Sequence, residues 1–284
     1  MPSRELPSSF PAVQAARSLR SERRLPFLIA GRVVGSVARE HLALLSDCAP
    51  WLQIGSTGVR MDDRLRNEVQ RSAALAAANQ SLRDDGVLTG WRNETYAVFG
   101  EPGEPPLALI ERAASRFWGT LTLGVHLNGY LADPTGRPTH LWMARRALSK
   151  PTDPGKLDTL VGAGVPHGQS PFAALVREAW EESGLPPELA SCATLGEPLQ
   201  LHRDVPQGVQ HEILHVYDLQ LPPDFEPRRI DGEVMEHQLL PLADVLLLLR
   251  GDEMAVDAAL ATLSFLSRHG LLADEEVPAL AQAA

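Results

Sequence analysis

The chain has 284 residues, 44% of them hydrophobic and 22% charged, ordinary for a globular protein with room for one large domain or two modest ones. Its formal net charge of −10 opposes non-specific attachment to nucleic acid, and no apolar run approaches the roughly 20 residues that span a bilayer. The same sign would repel a phosphorylated small molecule unless a cation or a local basic patch intervened. Cys48 and Cys192 lie far apart without metal-ligand spacing and read as thiols of a reducing compartment, the cytoplasm, with a single disulfide as the alternative.

The first 24 residues hold five arginines and several serines, but Glu5 and Glu22 interrupt this transit-peptide-like composition, and a native arm is expected over 1–24. An extended segment follows over 26–37 and a helix over 39–47. The stretch 62–83 is rich in Ala, Leu and Arg without Gly or Pro, which predicts a helix. A strand is expected over 95–99, a turn over 100–106 and a helix over 107–118. The character then changes: strands over 121–131 and 140–146 flank a turn at Asp133-Pro134-Thr135-Gly136. A loop over 151–155, a short strand over 157–161 and a helix over 171–183 come next. Strands over 193–202, 211–221 and 234–240 and helices over 243–250 and 255–268 complete the pattern. This mixture predicts an α+β N-terminal domain over 25–118 and a larger α/β domain over 119–284.

The chemically informative stretch runs from Gly162 to Leu185. Three glycines, Gly162, Gly164 and Gly168, allow a loop whose backbone turns tightly near a ligand. Ser170-Pro171 supplies an N-cap and first-turn pair, and Gly184 followed by Pro186 stops the helix. Phe172, Leu175, Val176 and Ala179 have the spacing of one buried face. Glu178, Glu181 and Glu182 fall at i, i+3, i+4 and are expected to share a different face. Such neighbours repel by roughly 3 kcal/mol at an effective dielectric of about 20, and Arg177 offsets only part of it. Oxygen ligands on a rigid element suit Mg²⁺, with Mn²⁺ as a substitute. A solvated helix face is the bland alternative.

The string Arg177-Glu178-Ala179-Trp180-Glu181-Glu182-Ser183-Gly184-Leu185 resembles the second half of the Nudix signature. Family spacing places the leading glycine at Ala163 and the first glutamate at Gln169, and both are departures; Ala163 still has the backbone carbonyl that the family uses as a metal ligand. The resemblance implies a Nudix α/β/α sandwich with a mixed sheet, metal ligation by Glu178, Glu182 and Ala163, Glu181 as ligand or base, and Arg177 as the residue that orients the glutamates. A narrower resemblance, to the thiamine-pyrophosphokinase-related Nudix subfamily, rests on Gly90-Trp91-Arg92-Asn93-Glu94-Thr95-Tyr96, Glu111-Arg112-Ala113-Ala114, Gly124 to Tyr130, Leu141 to Arg146, Asp231-Gly232-Glu233-Val234 and Phe265 to Gly270. It implies hydrolysis of thiamine diphosphate, oxidised forms especially, to the monophosphate. In that subfamily an N-terminal domain precedes the Nudix domain, and here it is expected to shape one wall of the cleft. Hydrolysis of ADP-ribose or another nucleoside-diphosphate derivative is the alternative, as is a non-catalytic ligand-binding module, which Ala163 and Gln169 would suit.

Glu233 is a candidate base or metal ligand, against a plain turn signal at Asp231-Gly232. Lys150, Arg145 and Arg146, at a strand end, can meet a terminal phosphate. His126 and Asn128 alternate along a strand and so share a face that can read a heterocycle's polar edge, against the reading of satisfied interior groups. The expected partner is a small-molecule diphosphate, with the protein a monomer or homodimer.

Overall fold

The structure, a computed structural model, describes residues 10–230 and 232–273. Asp231 and the ends of the chain, including the first nine residues of the expected arm, lie outside the described residues. The elements in chain order are α1 (Pro11–Ala15), β1 (Arg24–Ile29), β2 (Arg32–Ala38), α2 (Leu42–Cys48), β3 (Leu52–Ile54), β4 (Val59–Met61), α3 (Glu68–Asp84), β5 (Thr95–Val98), β6 (Ala108–Glu111) and α4 (Arg112–Trp118). Then follow β7 (Leu121–Ala132), β8 (Pro138–Arg146), β9 (Leu157–Asp158), β10 (Val161–Gly164), α5 (Pro171–Ser183), α6 (Pro187–Ala190), β11 (Thr194–Leu195), β12 (Leu199–Val205), β13 (Gly208–Gln220), β14 (Val234–Pro241), α7 (Leu242–Leu249) and α8 (Val256–Arg268).

The first group builds a four-stranded sheet of order β2-β1-β4-β3, parallel only at β1–β4, and a separate β5–β6 hairpin. Its core gathers Phe27, Ile29, Leu45, Leu75, Leu82 and Trp118, all fully buried. Burying the Trp118 indole requires a partner for its N–H, and Asn79 of α3 accepts it at 2.7 Å.

The second group centres on a mixed sheet of order β11-β13-β7-β8-β14, with β10 also pairing with β7, β12 with β13 and β9 with β8. β13 and β7 run parallel from His211↔Leu121 to Gln220↔Tyr130. Helices α7 and α8 cover one face and α5 and α6 the other, each over its own apolar core. This is the expected α/β/α sandwich behind a smaller α+β domain. Among the described residues no helix is long and apolar enough to cross a membrane.

Several elements differ from the sequence expectation for local reasons. The segment 26–37 is a hairpin, turned at Ala30 and Gly31 with φ of 50° and 77°. Helix α3 begins at Glu68 because Asp62 closes a turn onto the Arg64 N–H at 2.8 Å and Asn67 caps the Gln70 N–H at 2.9 Å. The first residues of the expected 107–118 helix form strand β6, and Glu111 then caps α4. The strand expected over 193–202 is broken between Leu195 and Leu199. Helix α5 spans its expected residues, with Ser170 Oγ accepting from Ala173 N at 3.2 Å and Gly184 at φ 66°.

Helix α1 lies within the segment expected as an arm. Phe10, Ala12, Val13 and Ala16 are buried in the core beneath α8, not in the core of the sheet that follows them in sequence. Backbone bonds fasten this segment to β12: His202 N donates to Ala16 O at 2.8 Å, and Arg20 N to Asp204 Oδ2 at 2.9 Å.

Candidate active site

The apolar stripe that seats α5 runs through Leu175 and Ala179, both fully buried, and continues to Glu182 one turn further. Glu182, seven residues past Leu175, therefore ends the buried face and is only 5% exposed. This corrects the expected buried face: Phe172 is rotated outward at 39% exposure and packs on Tyr217, while Glu182 takes the inner position and still lines one cleft with Glu178 and Glu181.

Burial pushes the Glu182 carboxyl up, Lys150 opposes this and Asp158 and Glu178 add to it, leaving it at about 8. Its Oε2 accepts from Gly162 N at 3.0 Å, and Oε1 lies 3.6 Å from Lys150 Nζ. Glu178 is also raised, by burial first, with Arg177 opposing and Glu181 reinforcing. Arg177 spans both outer glutamates, at 2.7 Å from Glu178 and 2.6 Å from Glu181. Its positive charge offsets part of the repulsion between the two.

Strand β10 faces this row. An ideal Cβ on Gly162 would meet Asp158 Oδ1 at 2.7 Å, and one on Gly164 would meet the Tyr96 hydroxyl at 1.6 Å. Alternation along the strand points Ala163 the other way, where a methyl fits. The order Gly-Ala-Gly is thus dictated by what lies over each position, and Ala163 lines the same cleft as Glu178, Glu181 and Glu182. Gln169 stands exposed in the loop ahead of α5.

Glu233 lies just before β14 and is paired with Lys150 and with Arg92 Nη1, the latter at 2.7 Å. Burial would raise its carboxyl, but these two cations reverse that and hold it at about 2. Gly232 has φ 77°, as a turn requires. From the N-terminal domain, Arg112 meets Glu94 at 2.7 Å across the mouth of the cleft. Burial opposes the Arg112 charge, yet Tyr96, Glu94 and Glu212 around it raise its pKa.

A deeper chamber continues inward past Arg112 and Lys150, between α4, the sheet and the first turn of α8. His126 lines it, with Nδ1 2.9 Å from Thr159 Oγ1, and Arg146 lies 2.6 Å from Asp158. Gln210 bridges Glu212 at 2.7 Å and Asp257 at 3.4 Å. Burial would raise Asp257, but His126, Arg146 and Arg203 lower it overall.

Two expected site residues are turned away. Arg145 neighbours Arg146 on β8 and so faces the opposite side of the sheet, where it bonds Glu236 at 2.8 Å and the Gly155 carbonyl at 3.0 Å. Of these two arginines, Arg146 lines the chamber and Arg145 does not. Asn128 donates to Asp218 and to the Ala261 carbonyl, both at 3.2 Å, and so ties β7 to α8 outside the cleft. Arg92, Glu94 and Arg112 also line the cleft, and spacing rules could not single them out. Their trace in the sequence is the unusual strings Gly90 to Tyr96 and Glu111 to Ala114.

The donor set fits a divalent cation of the hard, oxygen-loving kind. Among the described residues no three His, Cys, Asp or Glu side chains form a ready cage. One buried carboxylate and one half-buried carboxylate, both raised by desolvation, beside a backbone strand lining the same cleft, instead offer the partial shell in which Mg²⁺ keeps several waters.

Family profiles match both halves of the chain, one described as a domain of unknown function (DUF4743) over residues 8–122 and one as a NUDIX domain over residues 124–259. The chain is 35% identical over 262 residues to "Nudix hydrolase 20, chloroplastic" of Arabidopsis thaliana, covering 88% of this chain and 69% of that one. It is 35% identical over 256 residues to "Nudix hydrolase 24, chloroplastic" of the same plant, with the same coverage. A yeast protein from Saccharomyces cerevisiae, uncharacterized YJR142W, is 31% identical over 228 residues, covering 76% of this chain and 65% of its own length. The chain belongs to the Nudix hydrolase family, enzymes that act on diphosphate linkages and generally use divalent metal ions.

Proposed function

We propose that the protein is a Mg²⁺-dependent diphosphatase that converts thiamine diphosphate, its oxidised forms above all, to the monophosphate. The observation that carries the catalytic part is the pair Glu178, half-buried, and Glu182, buried beside Lys150, which line one cleft with Ala163. The segments that bear the subfamily resemblance, Gly90 to Tyr96 and Glu111 to Ala114, contribute to the cleft wall, which supports the narrower substrate.

Glu178, Glu182 and the Ala163 carbonyl would hold the cation. When bound, it stabilises negative charge on the phosphoryl oxygens. Arg177 keeps Glu178 and Glu181 in fixed orientation through its two ion pairs. Glu181 or Glu233 accepts the proton of the attacking water; the water oxygen bonds to phosphorus as the bridging P–O bond breaks, and the leaving oxygen carries away the electron pair. Lys150 meets the departing phosphate. His126, on the chamber floor, faces the organic part of the substrate.

The test is an assay of purified full-length chain with Mg²⁺ against thiamine diphosphate, oxo-thiamine diphosphate and ADP-ribose. Release of orthophosphate with the thiamine monophosphates is expected. Faster release of AMP from ADP-ribose overturns the thiamine assignment, and no turnover of any member overturns the enzymatic reading of this site.

A further inference from the structure

Between the glutamate row and the N-terminal domain, two arginines reach the metal-side cleft from outside the Nudix sequence altogether. Arg92 sits in a turn set by Gly90 at φ 73° and Asn93 at φ 57°, and Arg112 opens α4. Glu111 joins them into one unit: its Oε1 accepts from Arg92 N at 3.0 Å and from Ala113 N at 3.3 Å. The guanidinium of Arg112 is pressed against the catalytic loop, its Cζ 3.6 Å from where a Cβ on Gly164 would stand. Both arginines are thus presented on a stiff frame at the strand that faces the metal-binding glutamates.

Their present partners are two carboxylates of the same cleft. Glu233 is paired with Arg92 and with Lys150, which also lies 3.6 Å from Glu182. Glu94 pairs with Arg112 at the rim. The Arg112–Glu94 pair lies within the N-terminal domain and so braces nothing between the domains. Here the cleft carries four cationic and five anionic side chains, so one added divalent cation tips it to net positive. That is how a chain of net charge −10 can receive a diphosphate, and planar guanidinium forks match its oxygens.

We infer that Arg92 and Arg112 of the N-terminal domain form an anion grip for the substrate's diphosphate, with Glu233 and Glu94 holding its place until the ligand exchanges for them. The inference rests on the proposed function for the identity of the anion. The DUF4743 region thereby supplies the phosphate-holding half of the active site.

The experiment is calorimetric titration of the full chain with methylenediphosphonate, a non-hydrolysable diphosphate, at fixed Mg²⁺, alongside steady-state kinetics. Arg92→Ala and Arg112→Ala are each expected to weaken binding about tenfold to a hundredfold and to raise KM more than they lower kcat, as loss of charge-assisted hydrogen bonds would. Arg64→Ala, which breaks an exposed pair with Asp62 elsewhere, is the control and leaves the affinity as it was. If Arg112→Ala does not fold, Arg112→Lys gives the reading: it keeps the charge but loses the fork, and a severalfold weaker affinity is expected. Unaltered affinity in the arginine variants, or no binding by the wild type, overturns the grip. Turnover at unaltered KM in both variants would sink the grip and leave the diphosphatase standing. Binding that depends on both arginines in a chain that hydrolyses no diphosphate would do the reverse.

Discussion

Glu182 concentrates the chemistry of the site in one side chain. It ends the buried stripe of α5, bonds the Gly162 amide and faces Lys150, and its carboxyl rises from 4.5 to about 8. A raised carboxyl favours the folded state while it stays protonated. Its contribution to folding is complete below pH 4.5 and is lost as pH climbs through about 8, where folding must bury a charge that the unfolded chain leaves in water. His202, His211, His215 and His237 are all lowered by burial and push the other way between their folded values and 6.5, so wild type alone cannot show the effect. The comparison with Glu182→Gln isolates it. In metal-free buffer the wild type should lose melting temperature relative to the variant between about pH 5 and pH 8.5, and millimolar Mg²⁺ should close the gap for wild type only. In the assay the same substitution should lower kcat by at least about 100-fold, in line with removing a principal electrostatic group. A variant that keeps wild-type turnover would remove Glu182 from the mechanism. The spacing of Glu178, Glu181 and Glu182 is legible in sequence because it lies on one helix. Arg92 and Arg112 are not, since their approach to that helix is made by tertiary packing between domains, which leaves no periodic trace.

At the scale of the element, β10 shows how a strand with little side-chain volume can be highly specified. Gly164 lies directly beneath the Tyr96 hydroxyl, and His167 N donates to Thr95 O at 2.8 Å, so β5 of the N-terminal domain presses on the loop that leads into α5. Gly164→Ala should cost about 1–3 kcal/mol in chemical denaturation, the range for overpacking a tight site. Combining it with Tyr96→Phe should recover only part, because the ring carbon that bears the hydroxyl is still 2.9 Å from the new methyl. Full additivity of the two changes would show that the contact does not govern the loop. The same scale explains what pattern reading caught and missed. Helix α5 and strands β7, β8 and β13 are long and flanked by clear turn residues. Strands β3 and β4 have three residues each, too short for alternation to register. Strand β6 runs straight into α4, and nothing in 107–118 marks the change except Glu111, whose capping role depends on the turn it completes.

Over the whole molecule, the two domains are locked by more than their linker. Gly208, at φ 133°, lets the start of β13 pass under α4, where a Cβ would come within 2.2 Å of the Arg116 carbonyl. On the far side, α1 and Phe10 complete the core under α8. Phe10→Ala should therefore destabilise the Nudix domain by about 3 kcal/mol, the usual cost of emptying a fully buried phenylalanine site, although Phe10 precedes the other domain in sequence. Urea unfolding followed by the fluorescence of Trp142 and Trp180, with Trp51, Trp91 and Trp118 replaced by Phe in both proteins compared, would report it, and an unmoved midpoint would refute the packing role. The mixture of strand and helix patterns made the α/β class of the chain readable, whereas nothing in Pro11 to Ala16 names its distant partner.

The return of α1 to α8 also sets an order of events during synthesis. Domains tend to fold as the ribosome releases them, the earlier one first. Here the stretch around Phe10 has no berth until the residues of α8 have left the exit tunnel, so the early domain can assemble while its leading segment waits. Docking of that segment is then a closing step, and a ribosome stalled before Val256 would display a folded first half with an apolar thread still open to chaperones.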